Sequence, residues 1–188
     1  MILSQFQSVG RDLFARGLVS SHSGNLSIRL GERIIITRRI SQLGCLEEND
    51  LIETGINKND RATPLASMEL PVHRAIYQKT SALAIVHTHP PHAIALSLTE
   101  AEIVPNDEGL SVIGRVPVLE GHTEMSSGES AAVIAQALKK HRVVLVRGHG
   151  SFAIGQLLEE AYNLTTALEE SCQVIYLFKS LRANSAQK

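Results

Sequence analysis

The segment that most limits what this chain can fold into is the apolar run 82–86, which leads directly into His87-Thr-His-Pro-Pro91. A short apolar run of this kind reads as a buried strand. Two successive prolines have no N–H to donate and a fixed φ, so strand pairing stops there. A helical stretch from His92 to Leu98 follows at once, so strand and helix alternate within a few residues. The same mixture recurs along the chain. Phe6, Val9, Leu13 and Phe14 lie near helical spacing with Gly17 as a stop. Residues 26–30 and 33–37 read as a hairpin about Gly31, and residues 44–66 as polar and turn-rich. Over 69–77, Leu70, Val72, His73 and Ile76 share a helical face, with Glu69 near the start and Pro71 tolerated in the first turn. Residues 112–118 and 143–146 read as further strands, the second broken by Gly148-His149-Gly150 and continued at 152–154. Ser126-Ser-Gly-Glu129 forms a capping box, the best-defined helix start in the chain, before an Ala-rich helix ending near His141. A long amphipathic helix over 156–181 and a frayed tail at 182–188 complete the reading. This pattern predicts one α/β domain over 1–188, a mixed β-sheet flanked by helices.

Size and charge narrow the function. A chain of 188 residues suits one hydrophobic core. A formal net charge of -1 offers no general attraction to nucleic acid or an anionic membrane. The longest apolar runs fall well short of the ~20 residues that span a bilayer. The N-terminus lacks a basic-then-apolar secretory pattern, so the expected address is the cytoplasm. Cys45 and Cys172 stand far apart and form neither a disulfide framework nor a thiolate zinc cluster.

The chemistry gathers at the histidines. Alternate side chains of an extended segment share a face, so His87 and His89 present two imidazoles to one point while Thr88 turns away. His149, between two glycines at another strand end, is placed to supply a third nitrogen. Three neutral imidazoles leave an open position on Zn²⁺ or a similar ion, the arrangement of a catalytic site. Glu69 is the nearest acid/base. Each of these residues has a plainer reading: a lone histidine in a strand is usually structural, and a first-turn glutamate commonly just answers the helix dipole. His22, His73, His92, His122 and His141 lack partners in the sequence and read as structural or surface residues. An amidohydrolase barrel needs about 250 residues. The prolines stand where a metallo-β-lactamase pattern wants Asp and His, and the helices contradict a cupin.

Taken in order, Ser23-Gly-Asn-Leu-Ser27, Ile36-Thr37, Ser67-Met-Glu-Leu-Pro-Val-His73, Val86-His-Thr-His-Pro-Pro91 and Gly148-His-Gly150 resemble the class II aldolase/adducin family, of the fuculose-phosphate aldolase type. The resemblance implies a single α/β domain around a mainly antiparallel sheet, commonly a homotetramer with active sites between subunits. It implies one zinc ion per chain on His87, His89 and His149, with Glu69 as the acid/base. Asn25, Thr37 and Ser67 fall on its substrate-phosphate cradle. The expected reaction is reversible cleavage of a small sugar phosphate, such as a ketose 1-phosphate, through an enediolate that a Lewis-acidic ion stabilises. A metal-dependent dehydratase or epimerase shares that chemistry. A non-catalytic adducin-like module is the third reading, and the retained histidines argue against it.

Two departures bear on the substrate. Relatives commonly carry Thr-Pro-Ser-Gly where this chain has Thr37-Arg-Arg-Ile40, and Ser-Ser-Glu where it has Ser67-Met-Glu69. Arg38 and Arg39 suit either charge-assisted bonds to an anionic substrate or a subunit contact. The tyrosine that such aldolases draw from a neighbouring subunit has no counterpart in the 104–110 loop. The chain's tyrosines are Tyr77, Tyr162 and Tyr176, and the acid that protonates the leaving aldehyde is unassigned.

Overall fold

The computed structural model describes residues 2–121 and 128–185. The strands are β1 (Asn25–Leu30), β2 (Arg33–Thr37), β3 (Leu51–Gly55), β4 (Ala84–Thr88), β5 (Glu102–Ile103), β6 (Val116–Leu119), β7 (Val143–Val146) and β8 (Gly150–Gly155). They form one sheet in the order β3-β2-β1-β4-β8-β7-β6-β5. All neighbours are antiparallel except β6 and β7, so the sheet is mixed and mainly antiparallel, as expected. The β1–β2 hairpin closes after the Leu30–Arg33 pair, where Gly31 takes a φ of 60°. A two-residue loop that follows the sheet's twist needs this left-handed backbone, and glycine adopts it without a steric cost.

Helices cover both faces. One layer contains α1 (Ile2–Ala15), α3 (Pro91–Ser97), α4 (Asp107–Ile113) and α6 (Leu158–Ser185); the other contains α2 (Leu70–Lys79) and α5 (Gly128–Ala137). Strand alternation supplies the two cores. Val86 packs toward Phe6, Leu13 and Leu164, while its neighbour Ile85 packs toward Val72, Ile76 and Ile134. β4 lies in the middle of this sandwich and is buried at every position, which is why Ala84 to Val86 are apolar in succession without polar alternation.

The structure departs from the sequence reading at the edges. Within the expected turn-rich stretch 44–66, residues Leu51–Gly55 pair with β2 as an outer strand, a role that tertiary pairing assigns to a short and weakly patterned segment. Val112 and Ile113, expected to begin a strand, end α4 instead. The Asn106 side chain accepts the Gly109 N–H at 3.0 Å and starts that helix, Gly114 at φ 69° ends it, and the strand begins only at Val116. The two-residue strand β5 is too short to leave a pattern in the sequence. The serines of the capping box, Ser126 and Ser127, lie outside the described residues, and α5 begins at Gly128. The tail expected to fray from 182 remains helical through Ser185. Among the described residues no helix is long and apolar enough to cross a membrane.

Candidate metal centre

His87 stands near the end of β4, directly across from Asn25 in β1 and Phe152 in β8. It is completely buried, and the Phe152 ring stacks on it at 4.2 Å. Its Nδ1–H donates to the Ser151 carbonyl at 2.9 Å, which fixes the tautomer and turns the bare Nε2 toward the site. His89 lies on the same face two residues on, its backbone N–H held by the Leu18 carbonyl at 2.8 Å. Its Nε2 is 3.0 Å from that of His87. His149 sits in the tight β7–β8 turn and stacks on His87 with ring centres 5.1 Å apart. The turn depends on its glycines: Gly148 has a φ of 67°, and a Cβ on Gly150 would meet the Thr88 carbonyl at 2.3 Å. One nitrogen from each of the three imidazoles lies within 4.8 Å of the other two.

Glu69 occupies the N-cap position of α2 but makes no capping bond with its side chain. The carboxylate faces the histidines instead, with Oε2 3.0 Å from His87 Nε2 and Oε1 3.1 Å from His149 Nε2. The Asn25 amide donates to Oε2 at 2.7 Å. Burial opposes the charge on Glu69, but the imidazoles of His87 and His149 and the Asn25 amide outweigh it and hold the carboxyl below the usual carboxylate range. Burial also lowers the pKa of His87, against the pull of Glu69, and pushes His89 down to about 3. A carboxylate and three imidazole nitrogens thus converge on one point. Groups this close need a proton or a metal cation between them, and three imidazoles with a carboxylate are a ligand set that suits a divalent transition ion. The residues present fit a metal ion.

A cleft of about 630 Å³ opens from this cluster and is lined by His22, Asn25, Arg38, Arg39, Ile40, Ser67, Met68 and Glu69, among others. Ser67 Oγ accepts the Glu69 backbone N–H at 3.2 Å. Arg38 and Arg39 are exposed, with their backbone N–H groups bound to the Asp50 and Leu65 carbonyls at 2.7 and 3.0 Å. Neither guanidinium has a hydrogen bond or ion pair among the described residues. Ile40 is the only non-glycine residue with positive φ among those described, at 66°, in a turn closed by the Ser41 N–H on the Arg38 carbonyl at 3.2 Å. Thr37 is not on the cleft wall: it is buried, and its hydroxyl accepts the Leu26 N–H at 3.2 Å. Of the residues singled out in the sequence, the structure brings His87, His89, His149 and Glu69 together, places Asn25, Ser67, Arg38 and Arg39 along the cleft, and sets Thr37 behind it.

Sequence reading passes over His73. It is fully buried, donates from Nε2 to Asn25 Oδ1 at 2.6 Å and meets Ser27 Oγ at 2.6 Å through Nδ1, and Ser27 in turn meets the Tyr77 hydroxyl at 2.8 Å. The signal is present: Glu69, His73 and Tyr77 recur at intervals of four on one helical face, and Asn25 and Ser27 alternate along one strand face. Elsewhere His92 pairs with Glu169 at 2.7 Å, His141 lines a separate groove, and His122 lies outside the described residues.

With three histidines at the ends of the central strands and a glutamate at the cap of α2 facing them, the chain belongs to the class II aldolase and adducin N-terminal domain family, matched over residues 4–176. The crystal structure of L-fuculose-1-phosphate aldolase from Thermus thermophilus superposes with a TM-score of 0.91 at 38% identity, covering 97% of this chain and 96% of that one. An L-fuculose phosphate aldolase of Methanococcus maripaludis is 30% identical over 185 residues, 97% of this chain and 100% of the relative. A methylthioribulose-1-phosphate dehydratase of Acidiphilium cryptum is also 30% identical, over 86% of this chain and 83% of its own length.

Proposed function

We propose that the protein is a zinc-dependent aldolase that reversibly cleaves a small sugar phosphate such as a ketose 1-phosphate. The observation that carries this reading is the convergence of His87, His89 and His149 with Glu69 at the inner end of a cleft bearing two guanidinium groups that have no partner among the described residues. The histidines would hold the ion, which when bound supplies a Lewis acid for the negative charge that develops on the substrate's oxygens. Glu69 moves the proton at the reacting carbon, and the Asn25 amide on Oε2 aims its carboxylate. Arg38 and Arg39 bind the anionic end of the substrate, with Ser67 on the cleft wall beside them. The exposed Leu177, Phe178 and Leu181 on the outer half of α6 support a homo-oligomer, proposed as a tetramer. Two free cysteines suit the reducing cytoplasm as its place of work.

The dehydratase reading is kept for a specific reason. Tyr77 is buried, Tyr162 reaches Asp12, and Tyr176 lies against His92, so no tyrosine of this chain lines the cleft. A panel of phosphorylated and free ketoses, offered to the zinc-loaded protein and assayed separately for aldehyde release and for dehydration, tests both readings. Cleavage is expected, and Glu69→Gln should lower it at least roughly a hundredfold while the metal is retained. Dehydration without cleavage would transfer the protein to the second reading, and near-normal turnover of Glu69→Gln would reduce Glu69 to a structural residue.

A further inference from the structure

Behind Glu69 and the Asn25 amide that aims it runs a chain of side chains that the proposed reaction does not use, His73, Ser27 and Tyr77, all buried with Asn25. The links are Glu69 Oε2 to Asn25 Nδ2 at 2.7 Å, Asn25 Oδ1 to His73 Nε2 at 2.6 Å, His73 Nδ1 to Ser27 Oγ at 2.6 Å, and Ser27 Oγ to the Tyr77 hydroxyl at 2.8 Å. The direction of every link follows from its first. The Asn25 NH₂ donates to Glu69 Oε2, which leaves Oδ1 as an acceptor facing His73. That oxygen requires the proton of His73 on Nε2. With His73 held neutral by its burial, Nδ1 is then a bare acceptor, and Ser27 donates to it. Ser27 Oγ in turn accepts from Tyr77. Four donors in series therefore point toward one carboxylate oxygen, in a setting where the low dielectric strengthens each bond and raises the penalty for an unpaired group.

Proton conduction does not explain this chain, because a side-chain amide between imidazole and carboxylate has no proton it can readily relay. Tyr77 is thereby excluded as the missing acid. Its hydroxyl is sealed in the core, and burial pushes its pKa upward. What the chain does supply is orientation. It ties α2, which carries His73 and Tyr77 and has Glu69 at its N-cap, to β1, which carries Asn25 and Ser27, and β1 is hydrogen-bonded to the His87 strand. The carboxylate and the first imidazole are thus referenced to a common frame.

We propose that His73, Ser27 and Tyr77 are positioning residues whose one-way hydrogen-bond chain fixes the Asn25 amide and, through it, the rotamer and acceptor geometry of Glu69. The functional consequence rests on Glu69 being the base. The chain itself does not, and the two are tested apart. In ¹⁵N-histidine-labelled protein without added metal, long-range ¹H–¹⁵N spectra should report His73 as a neutral Nε2–H tautomer at neutral pH, and Tyr77→Phe should move the His73 Nδ1 resonance. A His73 protonated on Nδ1, or on both nitrogens, would overturn the assignment without any variant being made. In the metal-loaded enzyme, Ser27→Ala should lower kcat roughly tenfold, at the lower end of the usual range for supporting residues around a metal site. KM and metal content should stay within twofold, and Ser27→Thr, which restores the hydroxyl, should recover most of the loss. Unchanged kcat in Ser27→Ala, or a loss that Ser27→Thr does not repair while both variants keep wild-type melting, overturns the positioning role. The expected tautomer together with a fully active Glu69→Gln would instead sink the function proposed for Glu69 and leave the network standing.

Discussion

The floor and the rim of the cleft are built on opposite principles. At the floor, His87 and His73 have no solvent exposure, and every nitrogen of these two rings lies within 3.0 Å of an acceptor or donor. At the rim, a few residues away, Arg38 and Arg39 carry charges that are unpaired among the described residues, and Ile40 and Met68 expose apolar side chains at 79% and 62%. A β-branched residue in the left-handed region is strained by roughly 1–2 kcal/mol, yet here it holds the turn that presents the two arginines. The contrast separates two duties. A buried, saturated floor tolerates little change and keeps one chemistry, whereas an open rim with unmet charge can be altered to take a different anion without disturbing the fold.

The largest expected effect breaks the floor. Replacing His87, His89 or His149 by Ala should remove most of the divalent ion, read by elemental analysis of the purified protein, and abolish turnover, while His141→Ala keeps the wild-type content. Equal metal loss from His141→Ala would show that the ion sits elsewhere. An intermediate effect should come from the rim: Arg38→Ala or Arg39→Ala is expected to raise KM about tenfold, as a lost charge-assisted contact does, with metal and kcat little changed. Lys at the sensitive position should restore only part, since an ammonium does not reproduce the guanidinium fork. Unchanged KM with elution as a smaller oligomer on size exclusion would instead assign the arginines to a subunit contact. The smallest effect sharpens the distinction: Ile40→Gly should relieve the left-handed strain and, after the added entropy of the unfolded chain, raise stability by up to about 1 kcal/mol in urea titration. Destabilisation of that size would mean that Ile40 is packed and belongs to the floor's logic.

The strand–helix alternation, the His87 and His89 pair and the glycine-flanked His149 were legible because they depend on local rules: period-two alternation, proline stops and glycine turns. The edge strand β3, the brief α4 and the helical end of α6 were not, since neighbours or a single capping residue decide such short or terminal elements. Among the site residues, Thr37 shows the limit most clearly. Its place beside the cleft residues in sequence is real, but strand alternation turns its hydroxyl onto the Leu26 N–H and away from the cleft.

What the sequence determined by itself was therefore the list of groups able to do the chemistry, and the two glycines and two prolines that bring them to strand ends. Only the tertiary structure decided how those groups are used: that Glu69 turns from its helix cap to the histidines, that Asn25 lies between Glu69 and His73, and that a tyrosine is enclosed rather than offered to substrate. The reason is that hydrogen-bond direction and burial are set by partners 44 to 50 positions away along the chain, and no local pattern encodes which buried donor will meet which acceptor.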